Sequence, residues 1–283
     1  MQYRTDLALE HENIGSPHEG IMLSERGRAF RITELTVDSD EHGAVIERTK
    51  GRYLTLELRS DAEPSVQEQA EEFADELRGF LPEGAVLAAG LGNAEITPDA
   101  LGPQTAGKIL ATRHLRGELA ENDPETSFLC SLRPVSVLAT GVLGQTGIET
   151  AELIGALRET VQPACVIAVD ALACSDLSRL GTTVQISDAG IAPGSGVQNR
   201  RAELSAHTLG IPVIAVGVPT VVDLHTVVRQ AAGGQTDLSG FPNLMVTPRD
   251  IDGLLHRMSR LLAMGINLAL QPRLSFADIE ALG

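Results

Sequence analysis

The chain has 283 residues, 43% of them hydrophobic, 21% charged and 3% aromatic. That balance supports a sizeable buried core and excludes a disordered tail, a collagen-like fibre and a small disulfide-stapled domain; no run of about 18 uninterrupted apolar residues marks a membrane span. A net charge of −16 repels nucleic acid and anionic lipid and favours basic or neutral partners.

The N-terminal stretch MQYRTDLALEHE has no apolar signal segment, so a cytoplasmic location is expected. Residues 1–28 are charged and broken by Gly15, Pro17, Gly20 and Gly27, the composition of an irregular arm. Alternating stretches at 30–37, 44–48 and 53–58, separated by turn residues, predict antiparallel hairpins. Residues 66–80 read as an amphipathic helix with its charged run, 68–76, on a solvated face. From residue 85 the pattern changes to short apolar strands at 85–91, 134–140, 164–170, 182–187 and 211–217. Helices are expected at 100–116, 147–162, 200–209, 221–232 and 248–262. Strands that are apolar throughout are buried on both faces, so the fold predicted is α/β: a largely parallel sheet flanked by helices, decorated by N-terminal hairpins. Cys130, Cys165 and Cys174 lack CxxC spacing and lie in or beside apolar runs, as buried thiols of a reducing compartment do.

In open α/β sheets ligands bind beyond the carboxyl ends of the strands. The loops there carry two acids of interest. Asp99 follows Thr97-Pro98 and precedes a helix, where its plain role is to accept free backbone N–H groups. Asp170 ends the apolar run 165–169, where desolvation raises a carboxyl pKa unless a donor is near, the setting in which functional carboxylates are found. Two carboxylates at neighbouring strand ends can share a proton, one acting as base on water and the other protonating a leaving amine, which is peptide hydrolysis without a metal. Weaker signals accompany them. Gly90-Leu91-Gly92-Asn93 lacks the third glycine of a dinucleotide loop, and Ser195 stands in PGSGV, not in a nucleophile elbow. His114, His207 and His225 show no HExxH spacing, and Arg200 and Arg201 open a helix as solvated or substrate-gripping cations. No metal site and no cofactor is read from these residues.

Several long blocks resemble one family. They are YRTDLALE (3–10), TPDALGP (97–103), RPVSVLATGVLGQTGIET (133–150), VIAVDALA (166–173), TTVQISDAGIAPGSGVQNRR (182–201) and LGIPVIAVGVPTVVD (209–223). Together they are similar to the spore germination protease of endospore-forming bacteria. The resemblance implies a core like that of the hydrogenase-maturation endopeptidases. It implies an atypical aspartic endopeptidase, with Asp99 and Asp170 as its catalytic pair, that degrades the small acid-soluble proteins coating spore DNA. It further implies a homo-oligomer, a tetramer, in the forespore and spore core, and a zymogen that cuts itself at a substrate-like sequence. Asp6-Leu7-Ala8-Leu9-Glu10 fits that pattern, with the cut between Asp6 and Leu7. The implied layout is a propeptide, 1–6, and one peptidase domain, 7–283, comprising arm, hairpins and helix (7–80) and the core (81–283). Two alternatives stay open: a metal-dependent maturation-type endopeptidase, and a non-catalytic binder of basic proteins on the same fold.

Overall fold

A computed structural model of the chain describes residues 5–11, 14, 19–59, 61, 63–115, 128–193, 202–232, 238, 240–242 and 244–282. Among these, the strands are β1 (Ile21–Arg26), β2 (Phe30–Val37), β3 (Gly51–Leu58), β4 (Val86–Gly90), β5 (Val135–Ala139), β6 (Cys165–Cys174), β7 (Thr183–Ser187), β8 (Val213–Asp223) and β9 (Met245–Val246). The helices are α1 (Asp40–Gly43), α2 (Val66–Arg78), α3 (Leu101–Ala106), α4 (Leu143–Thr146), α5 (Thr150–Val161), α6 (Ala206–Leu209), α7 (Leu224–Ala232), α8 (Ile251–Leu270) and α9 (Phe276–Leu282). All the strands join one sheet in the order β1-β2-β3-β7-β8-β6-β4-β5, with β9 added to β8.

The four strands β5, β4, β6 and β8 are parallel, as their apolar sequences predict. Alternate residues of β4 serve opposite cores. Val86 and Ala88 pack with Phe73 and Leu77 of α2 and with α8, whereas Leu87 and Ala89 pack with Ile154 of α5 and Leu209 of α6. Beyond β8 the sheet turns antiparallel through β7 to β3. The predicted strand at 182–187 therefore runs against its parallel neighbours, and the N-terminal hairpins are continuous with the core sheet, which is mixed.

Local chemistry explains the other departures. Residues 44–48 are not a strand: Ser39 caps a helical turn by accepting His42 N–H at 3.2 Å, and the chain continues as a 3₁₀ turn, Ala44–Ile46, that buries Ile46. The arm is not irregular throughout, because β1 pairs with β2, and Leu7 and Ala8 are fully buried. The helix begun at Leu101 ends at Ala106, where Gly107 N–H bonds back to Pro103 O, and α8 runs on to Leu270, past the expected 262. The residue 221–232 segment begins as strand, since β8 continues to Asp223. Helix α2 starts at a capping box in which Ser65 N–H donates to Glu68 Oε2 at 2.8 Å and Glu68 N–H to Ser65 Oγ at 3.2 Å. Its acidic run is not wholly solvated: Glu72 is 4% exposed, and its carboxylate accepts the N–H groups of Arg28 (2.7 Å), Ala29 (2.5 Å) and Phe30 (2.9 Å). Three directed donors offset the cost of burying that charge and tie α2 to the start of β2. No helix among the described residues is long and apolar enough to cross a membrane.

Candidate active site

Strand β6 outruns β4. The last residue of β4, Gly90, pairs with Val169, and Leu91 N–H still donates to Val169 O at 2.8 Å. Asp170 is the next residue, 5% exposed, with Oδ1 accepting Ala171 N–H at 2.9 Å. On its other side it faces Gly217 of β8, and Gly217 in turn faces Gln185 of β7. Residues directly opposed in a pleated sheet share a face. Asp170 and Gln185 thus flank a residue that has no side chain.

Asp99 is delivered from the neighbouring strand. The loop after β4 turns at Gly92 (φ +104°) and returns through the 3₁₀ turn Thr97–Asp99, whose Pro98 suits the first turn. The half-buried Asp99 accepts Asn93 N–H on Oδ2 at 2.7 Å. This is the backbone-accepting role expected of it, although the donor belongs to the preceding loop and not to its own helix. A Cβ at position 92 would stand 2.2 Å from Asp99 O, so glycine is required there for both its φ and its closeness. Gly102 on α3 has the same function toward the sheet, since a Cβ there would lie 2.2 Å from Leu91 O and 2.4 Å from Val169 O. From the far side, Thr220 Oγ1 of β8 donates to Pro98 O at 2.7 Å and pins the turn.

Asp99 and Asp170 line one cavity of about 250 Å³, whose other walls include Ile96, Pro98, Val142, Leu172, Val221 and Met245. Asp170 also borders a second cavity of about 370 Å³, which reaches Arg48, Tyr53 and Gln185 and, from the arm, Thr5 and Asp6. Asp170 therefore stands between an apolar-walled chamber and the seat of the N-terminal arm. Two carboxyl groups in one such chamber can divide base and acid roles on water. A thiol nucleophile fits poorly: burial pushes Cys165 up to about 11 and Cys174 up to about 12, which keeps both protonated at neutral pH. Burial likewise raises the Tyr53 phenol.

The arm is seated residue by residue along the end of β6. Asp6 N–H donates to Ala173 O at 2.9 Å, and Ala173 N–H donates to Asp6 Oδ2 at 2.8 Å. Leu7 is buried among Leu172, Cys174 and Val222. Gln185 accepts Ala8 N–H on Oε1 at 2.7 Å and donates from Nε2 to Asp6 O at 3.2 Å, while the Arg48 guanidinium donates to Leu7 O at 2.9 Å. Glu10 receives Ser175 N–H at 2.5 Å, Ser175 Oγ–H at 2.8 Å and Asp176 N–H at 3.1 Å, and it pairs with Arg179 at 3.5 Å. Burial disfavours the Arg179 charge, but the hydrogen bond to Glu57 and the charges of Glu57, Glu10 and Asp176 outweigh it and raise its pKa. Arg48, Ser175, Arg179 and Gln185 carry no motif in the sequence. Their function emerges only when β6, β7 and the arm lie side by side.

Of the weaker candidates among the described residues, Gly92 lines the cavity with the two acids, and none of the three histidines lines either cavity. His114 and His207 are exposed, and His225 Nε2 lies 3.1 Å from Phe241 O. Ser195, Arg200 and Arg201 lie outside the described residues. Among the described residues no group of three or more His, Cys, Asp or Glu side chains is placed to hold a metal ion.

Comparison with known proteins bears on the same blocks. The profile of the family described as germination protease matches residues 3–233. A germination protease of Clostridium acetobutylicum is 36% identical over 98% of this chain and 98% of its own length. One from Caldanaerobacter subterraneus subsp. tengcongensis is 37% identical over 99% and 97%. Among solved structures, a [NiFe] hydrogenase maturation protease HycI from Thermococcus kodakarensis KOD1 is similar at 19% identity and a TM-score of 0.38, over 69% of this chain and 98% of that one. With matches running along almost its whole length, this chain belongs to the germination protease family, and by that family it is a peptidase.

Proposed function

We propose that the protein is an endopeptidase that starts the degradation of small acid-soluble, DNA-coating spore proteins in the germinating spore core, with Asp99 and Asp170 as an atypical aspartic pair. The observation that carries this reading is that both acids line one largely apolar cavity beyond the carboxyl end of β4, where its parallel neighbour β6 continues. One carboxylate takes a proton from water as its oxygen attacks the scissile carbonyl carbon. The other, protonated, gives its proton to the amide nitrogen as the C–N bond breaks, and the two exchange roles before the next turnover. A substrate enters as the arm does, with extended backbone at Leu7 followed by a 3₁₀ turn over Ala8–Glu10.

In this reading the protein is a zymogen. Residues 1–6 are a propeptide removed by a cut between Asp6 and Leu7, and residues 7–283 form one peptidase domain that assembles as a homotetramer. Support for the cut comes from Asp6 and Asp170 lining one cavity. Incubation with a purified small acid-soluble spore protein, followed by mass analysis of the fragments and N-terminal sequencing of the enzyme, tests the reading. Cleavage of the substrate together with a new N-terminus at Leu7, both insensitive to chelators, is expected. Intact substrate bound in a stable complex would establish a binder instead, and loss of cleavage in EDTA would establish a metal enzyme.

A further inference from the structure

The Gln185 side chain spans the bond between Asp6 and Leu7. Its Nε2–H donates to the Asp6 carbonyl oxygen at 3.2 Å, while its Oε1 accepts Ala8 N–H at 2.7 Å. The second bond fixes the first: with the amide turned over, two donors would face each other at Ala8, so the NH₂ group is held toward Asp6 O. The peptide is fixed on both sides of that bond. Ala8 is fully buried, and Asp6 N–H and Oδ2 are tied to Ala173 at 2.9 and 2.8 Å. The neighbouring carbonyls, Thr5 O and Leu7 O, accept from the Arg48 guanidinium at 3.3 and 2.9 Å. Gln185 and Asp170 flank Gly217, and all three line one cavity with Asp6. A Cβ at position 217 would stand 2.5 Å from Leu172 Cγ, so no side chain separates the amide from the acid.

Hydrolysis by two carboxyl groups needs such a donor. Water adds its oxygen to the carbonyl carbon as one carboxylate takes its proton, and the C=O electron pair moves onto the carbonyl oxygen. The second carboxyl keeps its proton for the leaving nitrogen, so the charge on that oxygen is met by hydrogen-bond donors. Resting on the reading that the chain cuts between Asp6 and Leu7, we propose that Gln185 is a third catalytic residue, whose Nε2–H stabilises the oxyanion of the tetrahedral intermediate, in cis on the arm and in trans on a protein substrate. Its hydrogen bond to the neutral carbonyl tightens as charge develops there. When the electron pair re-forms C=O, the C–N bond breaks, the nitrogen takes the proton of the second carboxyl, and Gln185 ends unchanged.

The test uses the full-length chain and two fluorescently labelled ligands copying residues 1–14. One is the plain peptide; in the other a phosphinate replaces the peptide group between Asp6 and Leu7 and sets a charged oxygen where the oxyanion forms. Binding is read by anisotropy and cleavage by mass. Gln185→Glu keeps an oxygen for Ala8 N–H and loses the donor, whereas Gln185→Met loses both without adding charge; calorimetry shows each folded. Unaltered chain is expected to bind the phosphinate at least about tenfold more tightly than the peptide, and both variants bring that ratio toward one. Both lower kcat by about a hundredfold, the scale of one lost oxyanion donor, whereas a residue that only seated the peptide would raise KM and spare kcat. Equal affinity of unaltered chain for the two ligands, a phosphinate preference that survives Gln185→Met, or a kcat of that variant within about threefold of unaltered chain overturns the assignment. A phosphinate preference that depends on Gln185, with the bond between Asp and Leu left uncut, keeps the donor and removes the functional reading. Cleavage at that bond at an undiminished rate in both variants does the reverse.

Discussion

The two halves of the sheet solve different problems. In the parallel half, β4, β6 and β8 are buried on both faces, and the polar side chains Asp170 and Thr220 come only beyond the end of β4, where β6 and β8 outlast it. In the antiparallel half, β2 and β3 pack one face on α2 and α8, while the other receives the arm, with Ala8 lying among Leu35, Val37, Ile46 and Tyr53. Where the halves meet, Gly217 of β8 has Asp170 on one side and Gln185 on the other. The parallel half carries Asp170 and the loop with Asp99, and the arm is seated across the junction, on Leu172 and Ala173 of β6 as well as on Gln185 and Arg48.

That division of labour can be broken by substitution. The largest effect is expected in the parallel half: Asp99→Asn or Asp170→Asn reduces cleavage by about a thousandfold or more with the melting temperature little changed, measured by peptide turnover and calorimetry. Next is Gly102→Ala, whose methyl would press on Leu91 O and Val169 O and push α3, with Asp99, off the sheet. It costs about 1–3 kcal/mol in denaturant melts and about a hundredfold in rate, since misplacement by an ångström suffices. On the other side, Leu7→Ala empties an apolar seat at a local cost of about 2–3 kcal/mol. Hydrogen exchange then quickens at Asp6, Ala8 and Ala173, whose N–H donates to Asp6, while β4 amides keep their protection; uniform quickening would mean that the arm is part of the core.

Smaller effects sharpen the same contrast. The buried thiols Cys165 and Cys174 titrate higher in the folded than in the unfolded chain, from 9.0 to about 11 and about 12. The folded state then holds more protons between those values, so this stability is complete below pH 9 and is lost as pH rises toward 12. Melts across that range, with and without Cys174→Ala, measure it. The smallest effect belongs to the surface: Arg260→Ala breaks an ion pair with Glu280 whose side chains are 51% and 52% exposed, and it changes stability by less than about 1 kcal/mol.

The parallel half was legible because unbroken apolar runs have few other uses, and every one of them became a strand. Asp170 was legible for the same reason, as an acid at the end of such a run. The antiparallel half was harder to read. The 44–48 alternation satisfies a strand and a 3₁₀ turn equally, and the Ser39 cap that decides between them lies upstream. Glu72 looked like one more charge on a wet helix, because its backbone donors come from residues 28–30. The donors around Asp6 and Glu10 were illegible for the same reason, being neutral or ordinary residues brought together only by the register of β6 with β8 and β7.

The central claim is that Asp99 and Asp170 act as one unit. Single-turnover cleavage by Asp99→Asn, Asp170→Asn and the doubly substituted chain, each shown folded by calorimetry, tests it directly. Groups that share one proton transfer lose nearly everything together, so the double variant is expected to be no slower than the slower single one. Losses that multiply, or turnover retained in either single variant, would contradict it.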